Sequence, residues 1–231
     1  GTGMPGMRRR QQVRIRRIEM NPLPGLARED IEGLLEFAIS EGSEFAELFV
    51  EDRSSFFYLL EEGRAEKISS GTDSGFGIRI IRSRRTFYAF SNIITRDEMM
   101  AVARTLLEDV DGAGGNYTPP GEVVSGRGKE VRIAAEDLPP GEKLEMAFTA
   151  DREARKVSGD IAQVSVRYGD SRQLVRIFNS DGAAVEDLRR QIFLNIRAVA
   201  SNRKGTQAAS RSMGGNHGFE YLNPGLAADM A

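Results

Sequence analysis

The chain has 231 residues, no cysteine and a formal net charge of −2, with 40% hydrophobic and 29% charged residues. This composition is typical of a globular protein with one large or two modest domains, excludes disulfides and thiolate chemistry, and argues against a general nucleic-acid-binding protein. No apolar run reaches the roughly 18 to 20 residues needed to cross a bilayer, so the sequence predicts no membrane segment.

The chain begins with a basic leader. It has one acidic residue, Glu19, and six arginines: Arg8, Arg9, Arg10, Arg14, Arg16 and Arg17. A secretory signal would continue with about 7 to 15 apolar residues, which are absent here. We interpret residues 1–23 as a disordered leader, or as an upstream extension if translation begins at Met20. The alternative is a basic arm that contacts RNA or an acidic partner.

Residues 24–110 are predicted to form an α+β domain. Apolar residues at helical spacing indicate an amphipathic helix that ends at Gly42: Ile31, Leu34, Leu35, Ala38 and Ile39. Residues 45–91 then contain four or five short strand-like runs separated by turn residues, which is typical of an antiparallel meander. A capping box from Thr95 to Glu98 starts a second amphipathic helix. We expect both helices on one face of the sheet.

Residues 111–141 are rich in glycine and proline and have little apolar periodicity. We interpret them as a linker or a long surface loop, in which Val131 and Ile133 supply one short edge strand.

Residues 142–231 repeat the pattern of the first domain. A helix over residues 142–156 is followed by predicted strands over 161–168, 174–178, 185–200 and 206–212. Gly169, Asp170 and Ser171 predict a turn between the first two, and residues 179–182 (Asn-Ser-Asp-Gly) predict a hairpin turn. A Gly-rich loop over 213–221 leads into the first turns of a helix, so we expect this segment to be part of something longer. The predicted fold is therefore α+β, with two helix-plus-antiparallel-meander units joined by a Gly/Pro-rich linker.

No catalytic constellation is visible in these residues. His217 is the one histidine, and with no cysteine it cannot build a common zinc site, which needs three protein ligands. No G-x-S-x-G nucleophile motif is present. Asp109 and Asp111 have a faint resemblance to a calcium loop, but the rest of the twelve-residue pattern is missing.

One glycine pair and one arginine cluster have structural interpretations. Gly75 and Gly77 lack the third glycine and the helix of a dinucleotide-binding loop, so a bulge or a tight backbone approach is the better interpretation. An arginine cluster could contact anions; it consists of Arg79, Arg82, Arg84 and Arg85. Such charges on a sheet edge more often prevent edge pairing. We therefore assign no catalytic, cofactor-binding or metal-binding residue.

The order and spacing of several stretches resemble the TldD/PmbA family. They are residues 43–51 (Ser-Glu-Phe-Ala-Glu-Leu-Phe-Val-Glu), 75–80 (Gly-Phe-Gly-Ile-Arg-Ile), 86–91 (Thr-Phe-Tyr-Ala-Phe-Ser), 179–182 and 214–220 (Gly-Gly-Asn-His-Gly-Phe-Glu). The resemblance covers residues 24–231 and favours the TldD type over its PmbA partner. It implies the N-terminal half of a cytoplasmic zinc metalloprotease that processes or degrades peptides, once described as a modulator of DNA gyrase. It also implies a homo- or heterodimer with a TldD- or PmbA-type subunit.

The family's zinc ligands lie in an H-E-x-x-x-H helix and a later position, both downstream of the segment that matches this chain. The chain contains no such motif. The resemblance therefore predicts a scaffold and substrate-handling part that does not hydrolyse peptides alone. Two alternatives stay open: a free-standing binding module that pairs with a family subunit or an extended peptide through a sheet edge, and an unrelated α+β protein.

Overall fold

The computed structural model describes residues 26–108, 112, 114–126 and 130–222. Its helices are α1 (Arg28–Ser40), α2 (Arg96–Leu107) and α3 (Pro140–Lys156). Its strands are β1 (Phe45–Glu61), β2 (Arg64–Arg82), β3 (Arg85–Ser91), β4 (Val124–Ser125), β5 (Ile161–Asn179), β6 (Ala184–Asn202) and β7 (Gly205–Gly215). Two 3₁₀ turns, Ala135–Asp137 and Phe219–Tyr221, complete the described elements. The predicted leader and the predicted C-terminal helix lie outside the described residues.

The seven strands form one sheet, in the order β3-β2-β1-β5-β6-β4, with β7 also paired to β6. All pairs are antiparallel except β4 with β6. The α+β class predicted from the sequence is confirmed. The sheet is continuous because β1 pairs with β5 from Glu47↔Asn179 to Glu61↔Ser165. The sequence analysis did not anticipate this pairing of the two meanders.

The strands are longer and fewer than predicted. Residues 45–91 hold three strands, because Arg53, Ser54 and Ser55 continue β1 where a break was expected. The predicted turn at Gly169, Asp170 and Ser171 is also wrong, since these residues lie inside β5. Both stretches stay extended because each is paired on its two sides, β1 with β2 and β5, and β5 with β1 and β6.

Three local predictions are supported, the first of them in part. Of the predicted capping box, the Thr95 side chain accepts a hydrogen bond from the Glu98 N–H (3.3 Å) at the start of α2. Gly42 follows α1 with φ +102°, a left-handed conformation that suits glycine at a helix end. The hairpin turn after β5 is closed by the Asn179 side chain, which accepts hydrogen bonds from the N–H groups of Asp181 and Ala183.

The described part of the segment that connects the two meanders follows the sheet edge. Its short strand is β4, so the edge strand predicted at Val131 and Ile133 is wrong. The reason is that Ile133 is engaged elsewhere: its carbonyl accepts a hydrogen bond from Phe219, and its N–H donates to the Glu220 carboxylate.

The helices cover one face of the sheet, and two hydrophobic clusters lie beneath them. The first packs α1 and α2 against Ala46, Leu48 and Val50 of β1, together with residues of β2. The second packs α3 against Phe56, Tyr58 and Leu60 of β1, together with residues of β5 and β6. These β1 residues are all even-numbered and share one face, because side chains alternate along a strand. We call this the covered face, and the opposite one the open face. No helix among the described residues has the length and apolar character needed to span a membrane.

Candidate functional site on the open face of the sheet

An aromatic–glycine–aromatic row crosses three strands on the open face. Phe49 of β1 lies opposite Gly77 of β2, and Gly77 lies opposite Phe90 of β3. Directly opposed residues in antiparallel strands project to the same face. Because Gly77 has no side chain, the Tyr88 ring can lie directly over it. The next row also contains a glycine, since Gly75 lies opposite Glu51, and the Ser91–Asn92 backbone lies against it.

These rows border a cavity of about 610 Å³, which we call the aromatic trough. It is lined by Phe49, Glu51, Asp73, Ser74, Gly75, Phe76, Gly77, Tyr88, Phe90, Ser91 and Asn92. The outer wall is exposed: Phe90 by 77% and Tyr88 by 59%. Large aromatic side chains held so openly are unusual on a protein surface and mark interaction sites.

The glycines fix the shape of the trough. A Cβ on Gly77 would collide with the Tyr88 hydroxyl group, and a Cβ on Gly75 would come 2.8 Å from the Ser91 carbonyl oxygen. Tyr88 therefore leans over Gly77 toward Phe90, and the two ring centroids lie 6.4 Å apart. The close backbone approach at Gly75 agrees with the interpretation made from the sequence, whereas Gly77 is approached by a side chain.

The rim of the trough is acidic. Glu51 and Asp73 line it, and no Lys, Arg or His is among its lining residues. The Glu51 carboxylate accepts a hydrogen bond from the Gln173 side-chain amide (2.8 Å), which holds it at the rim. Arg53, opposite Asp73 in the register, is exposed and does not line the cavity. The trough thus offers aromatic walls and two carboxylates.

A second polar cluster lies on the covered face, between the two hydrophobic clusters. Lys143 of α3 and Asp170 of β5 form an ion pair (Nζ–Oδ2 2.8 Å) in which both side chains are almost fully buried. The Tyr58 hydroxyl group donates a hydrogen bond to the Lys143 carbonyl, and the Tyr58 and Tyr168 rings stack at 5.1 Å. Burial raises the pKa of both tyrosines above its ordinary value, and for Tyr168 the Asp170 carboxylate raises it further.

Ion pairs extend this cluster across the sheet. Arg190 binds Glu136 (2.7 Å), and Arg172 binds Asp52 (2.5 Å). A cavity of about 410 Å³ lies beside them and is lined partly by Lys143, Asp170 and Glu136. The charges in this region are mutually satisfied, which favours a structural role in which the pairs connect α3 and the 3₁₀ turn to the middle of the sheet.

The sequence-predicted candidates do not come together. The His217 ring stacks on Tyr221, with centroids 3.9 Å apart, in the loop after β7. Arg79 pairs with Glu47 (3.1 Å), and Arg82 is buried with its guanidinium donating to the Leu107 carbonyl (3.0 Å), so Arg82 is not an edge charge. Asp109 and Asp111 lie outside the described residues.

A zinc ion does not fit the described residues. Within residues 26–108, 112, 114–126 and 130–222, no three His, Cys, Asp or Glu side chains are grouped so that they could hold a metal ion. A catalytic zinc needs three such ligands.

Two successive domain models of one family match the chain. Residues 46–110 match PmbA/TldA metallopeptidase domain 1, and residues 133–231 match the PmbA/TldA metallopeptidase central domain. The chain belongs to the PmbA/TldD metallopeptidase family. This confirms the resemblance found in the sequence.

Curated relatives agree with this assignment. A metalloprotease of Methanothermobacter thermautotrophicus is 29% identical over 199 residues, which are 84% of this chain and 42% of the relative. A metalloprotease TldD homolog of Haemophilus influenzae is 23% identical over 78% of this chain and 38% of the relative. The chain therefore spans about two-fifths of the length of these relatives.

Solved structures show the same fold at low identity. A protein of Thermotoga maritima described as a modulator of a DNA gyrase has a TM-score of 0.67 at 22% identity, over 88% of this chain and 47% of that one. TldE of Thermococcus kodakarensis has a TM-score of 0.65 at 14% identity, over 87% of this chain and 46% of that one.

Proposed function

We propose that this chain is the N-terminal scaffold and peptide-handling part of a TldD-like zinc metallopeptidase. The observation that supports this most is the difference between the two faces of one sheet. The helices pack on the covered face, and an aromatic trough lies on the open face. The described residues offer no metal site, and the chain lacks the H-E-x-x-x-H motif, so we propose that the catalytic zinc is held by residues outside this chain.

A long, continuous sheet suits a scaffold role. The three central strands, β1, β2 and β5, run for 17, 19 and 19 residues. At about 3.3 Å per residue, each spans roughly 55–65 Å. Since β1 is paired on both sides, the two matched domains are held in a fixed relation along it. We propose that this sheet presents peptide to a catalytic domain.

The implied partner, location and domain division belong to the same proposal. We propose a cytoplasmic protein that forms a homo- or heterodimer with a TldD- or PmbA-type subunit. We further propose two domains, residues 24–110 and 142–231, joined by residues 111–141. The absence of cysteine suits a reducing compartment. The name TldE carried by one structural neighbour supports a partnership of this type.

The test is a graft into the Methanothermobacter relative, in which this chain replaces the segment that aligns with it. We expect the graft to bind zinc and to hydrolyse peptides until a chelator is added, whereas the 231-residue chain alone does neither. Peptide hydrolysis by the chain alone would contradict the proposal. So would a folded, zinc-loaded graft that fails on every peptide the parent cleaves.

A second candidate is a non-catalytic binding module that adds a strand at a sheet edge. The observation that favours it is β7, which pairs only with β6 among the described strands and has one charged residue, Arg211, among its eleven. Long edges usually carry charges or prolines that block pairing. Affinity capture from source cells tests this candidate: recovery of a family subunit that is lost when Ala208 is changed to proline would support it.

A further inference from the structure

We propose that the aromatic trough binds an extended polypeptide segment that carries a bulky aromatic or aliphatic side chain next to a basic residue. This inference rests on the proposed peptide-handling function and names the substrate class for that face. It assigns the apolar side chain to the cavity beside Phe49, Tyr88 and Phe90, and the basic side chain to Glu51 and Asp73.

The trough is large enough to accept a bulky side chain together with part of its backbone. Its volume of about 610 Å³ lies within the roughly 300–1,000 Å³ typical of ligand sites. Phe49 lies on one side of the glycine row, and Phe90 with Tyr88 on the other, so an inserted ring or branched aliphatic chain would contact aromatic side chains of two strands.

The charge of the trough selects a basic neighbour for that side chain. Two carboxylates and no cationic side chain line the cavity. A lysine or arginine beside the inserted residue would reach the rim, and an acidic segment would be repelled.

The same charge argues against a second copy of this chain as the occupant. A two-fold contact places the same patch on both subunits. It would bring the two acidic rims together, where like charges oppose each other at close range. The acidic rim also argues against nucleic acid as the occupant, because phosphates need basic contacts.

The test uses the 231-residue chain labelled with ¹⁵N and three capped peptides. The probe is acetyl-Lys-Leu-Phe-Lys-amide; acetyl-Lys-Ala-Ala-Lys-amide keeps the charge without the apolar residues, and acetyl-Glu-Leu-Phe-Glu-amide keeps the apolar residues with the opposite charge. Titration followed by NMR reports affinity and location together. We expect the probe to shift the amide signals of Gly75 and Gly77 and to bind about tenfold more tightly than either control peptide.

Variants with matched controls locate the contacts. Phe90→Ser removes one wall and is expected to weaken probe binding about tenfold, with Tyr88→Ser as a second wall variant. Ile68→Ser, at a similarly exposed apolar position of β2 outside the trough, should leave binding unchanged. Asp73→Asn should weaken binding about threefold, with a smaller effect at high salt, whereas Glu66→Gln should not.

Each other outcome overturns the inference. Equal binding of the two basic peptides would mean non-specific charge attraction, and binding that survives both wall variants would place the site elsewhere. No binding of the probe would also refute it, and so would a concentration-dependent dimer that Phe90→Ser abolishes, since the occupant would then be a second copy. The graft experiment reports zinc and hydrolysis, so its success beside a failed titration would refute this inference alone.

Discussion

The two faces of the same sheet use the same strands for different purposes. On β1, the even-numbered Leu48 is fully buried under the helices, whereas its neighbour Phe49 faces a cavity on the other side. The covered face has two hydrophobic clusters and satisfied ion pairs; the trough on the open face has glycines, exposed aromatic rings and acids. Alternate residues of one strand can therefore serve different purposes: one set packs in the core and stabilises the fold, and the other is left to contact a ligand.

The largest expected effect is at the buried ion pair of the covered face. Lys143→Ala would leave the Asp170 carboxylate buried without its partner, and we expect the free energy of unfolding to fall by about 3–5 kcal/mol. Urea denaturation measures it. The control is the double variant Lys143→Met with Asp170→Leu, which should recover most of the loss. A single variant as stable as the parent would show that the pair is not buried as described.

Truncation of the apolar core is expected to cost slightly less. Leu48→Ala removes a fully buried side chain from the first hydrophobic cluster and should lower the free energy of unfolding by about 3 kcal/mol. Thermal and urea unfolding both report it. A loss below about 1 kcal/mol would mean that α1 and α2 do not press on this face.

The open face should respond differently to an equally severe change. Phe90→Ser alters a residue that is 77% exposed, so we expect the free energy of unfolding to change by no more than about 0.5 kcal/mol. Comparison with Leu48→Ala under the same conditions is the most direct check of the two-face description. If Phe90→Ser destabilised the chain as much as Leu48→Ala, the open face would be part of the core.

The smallest effect is a pH dependence in the loop after β7. The Glu220 carboxylate accepts hydrogen bonds from the N–H groups of Arg132 (2.9 Å) and Ile133 (3.0 Å), and the Arg132 bond is the main reason that its pKa is lowered. A lowered pKa in the folded state adds stability above the ordinary glutamate value of about 4.3, and this stability is lost as the pH falls through the folded-state pKa.

Hydrogen exchange tests this pH dependence. We expect the protection of the Arg132 and Ile133 amides to fall as the pH drops through the lowered pKa of Glu220. Thr118, whose N–H donates to the Ser180 backbone carbonyl, is the control and should keep its protection. An equal loss at Thr118 would indicate global unfolding and would contradict the local account.

The sequence predicted the elements better than their pairing. The helices and the Asn179–Gly182 hairpin have local signals, namely apolar spacing, caps and turn residues, and these were read correctly. The pairing of β1 with β5 joins residues more than a hundred positions apart, and no local turn determines it. Turn-type residues inside β1 and β5 gave false breaks, because pairing on both sides outweighs local propensity.

The trough was not predicted, although part of it could have been inferred from the sequence. The tight turn between β2 and β3 pairs Gly77 with Phe90, which a hairpin analysis could have found. The position of Phe49 opposite Gly77 depends on a register shift between Leu59 and Leu60 in the pairing of β1 with β2. A regular hairpin from the pair Glu61↔Arg64 would place Phe49 opposite Phe76 and off the trough, because a one-residue slip exchanges the faces. No residue pattern indicates that shift.

The central claim is that this chain forms the scaffold part of a longer metallopeptidase, and the most direct measurement is the intact mass of the native protein in its source cells. Because the chain spans 42% of the Methanothermobacter relative, we predict a zinc-containing species of roughly twice the 25.5 kDa of this chain. A native species of 25.5 kDa without zinc would contradict the claim and would favour the binding module.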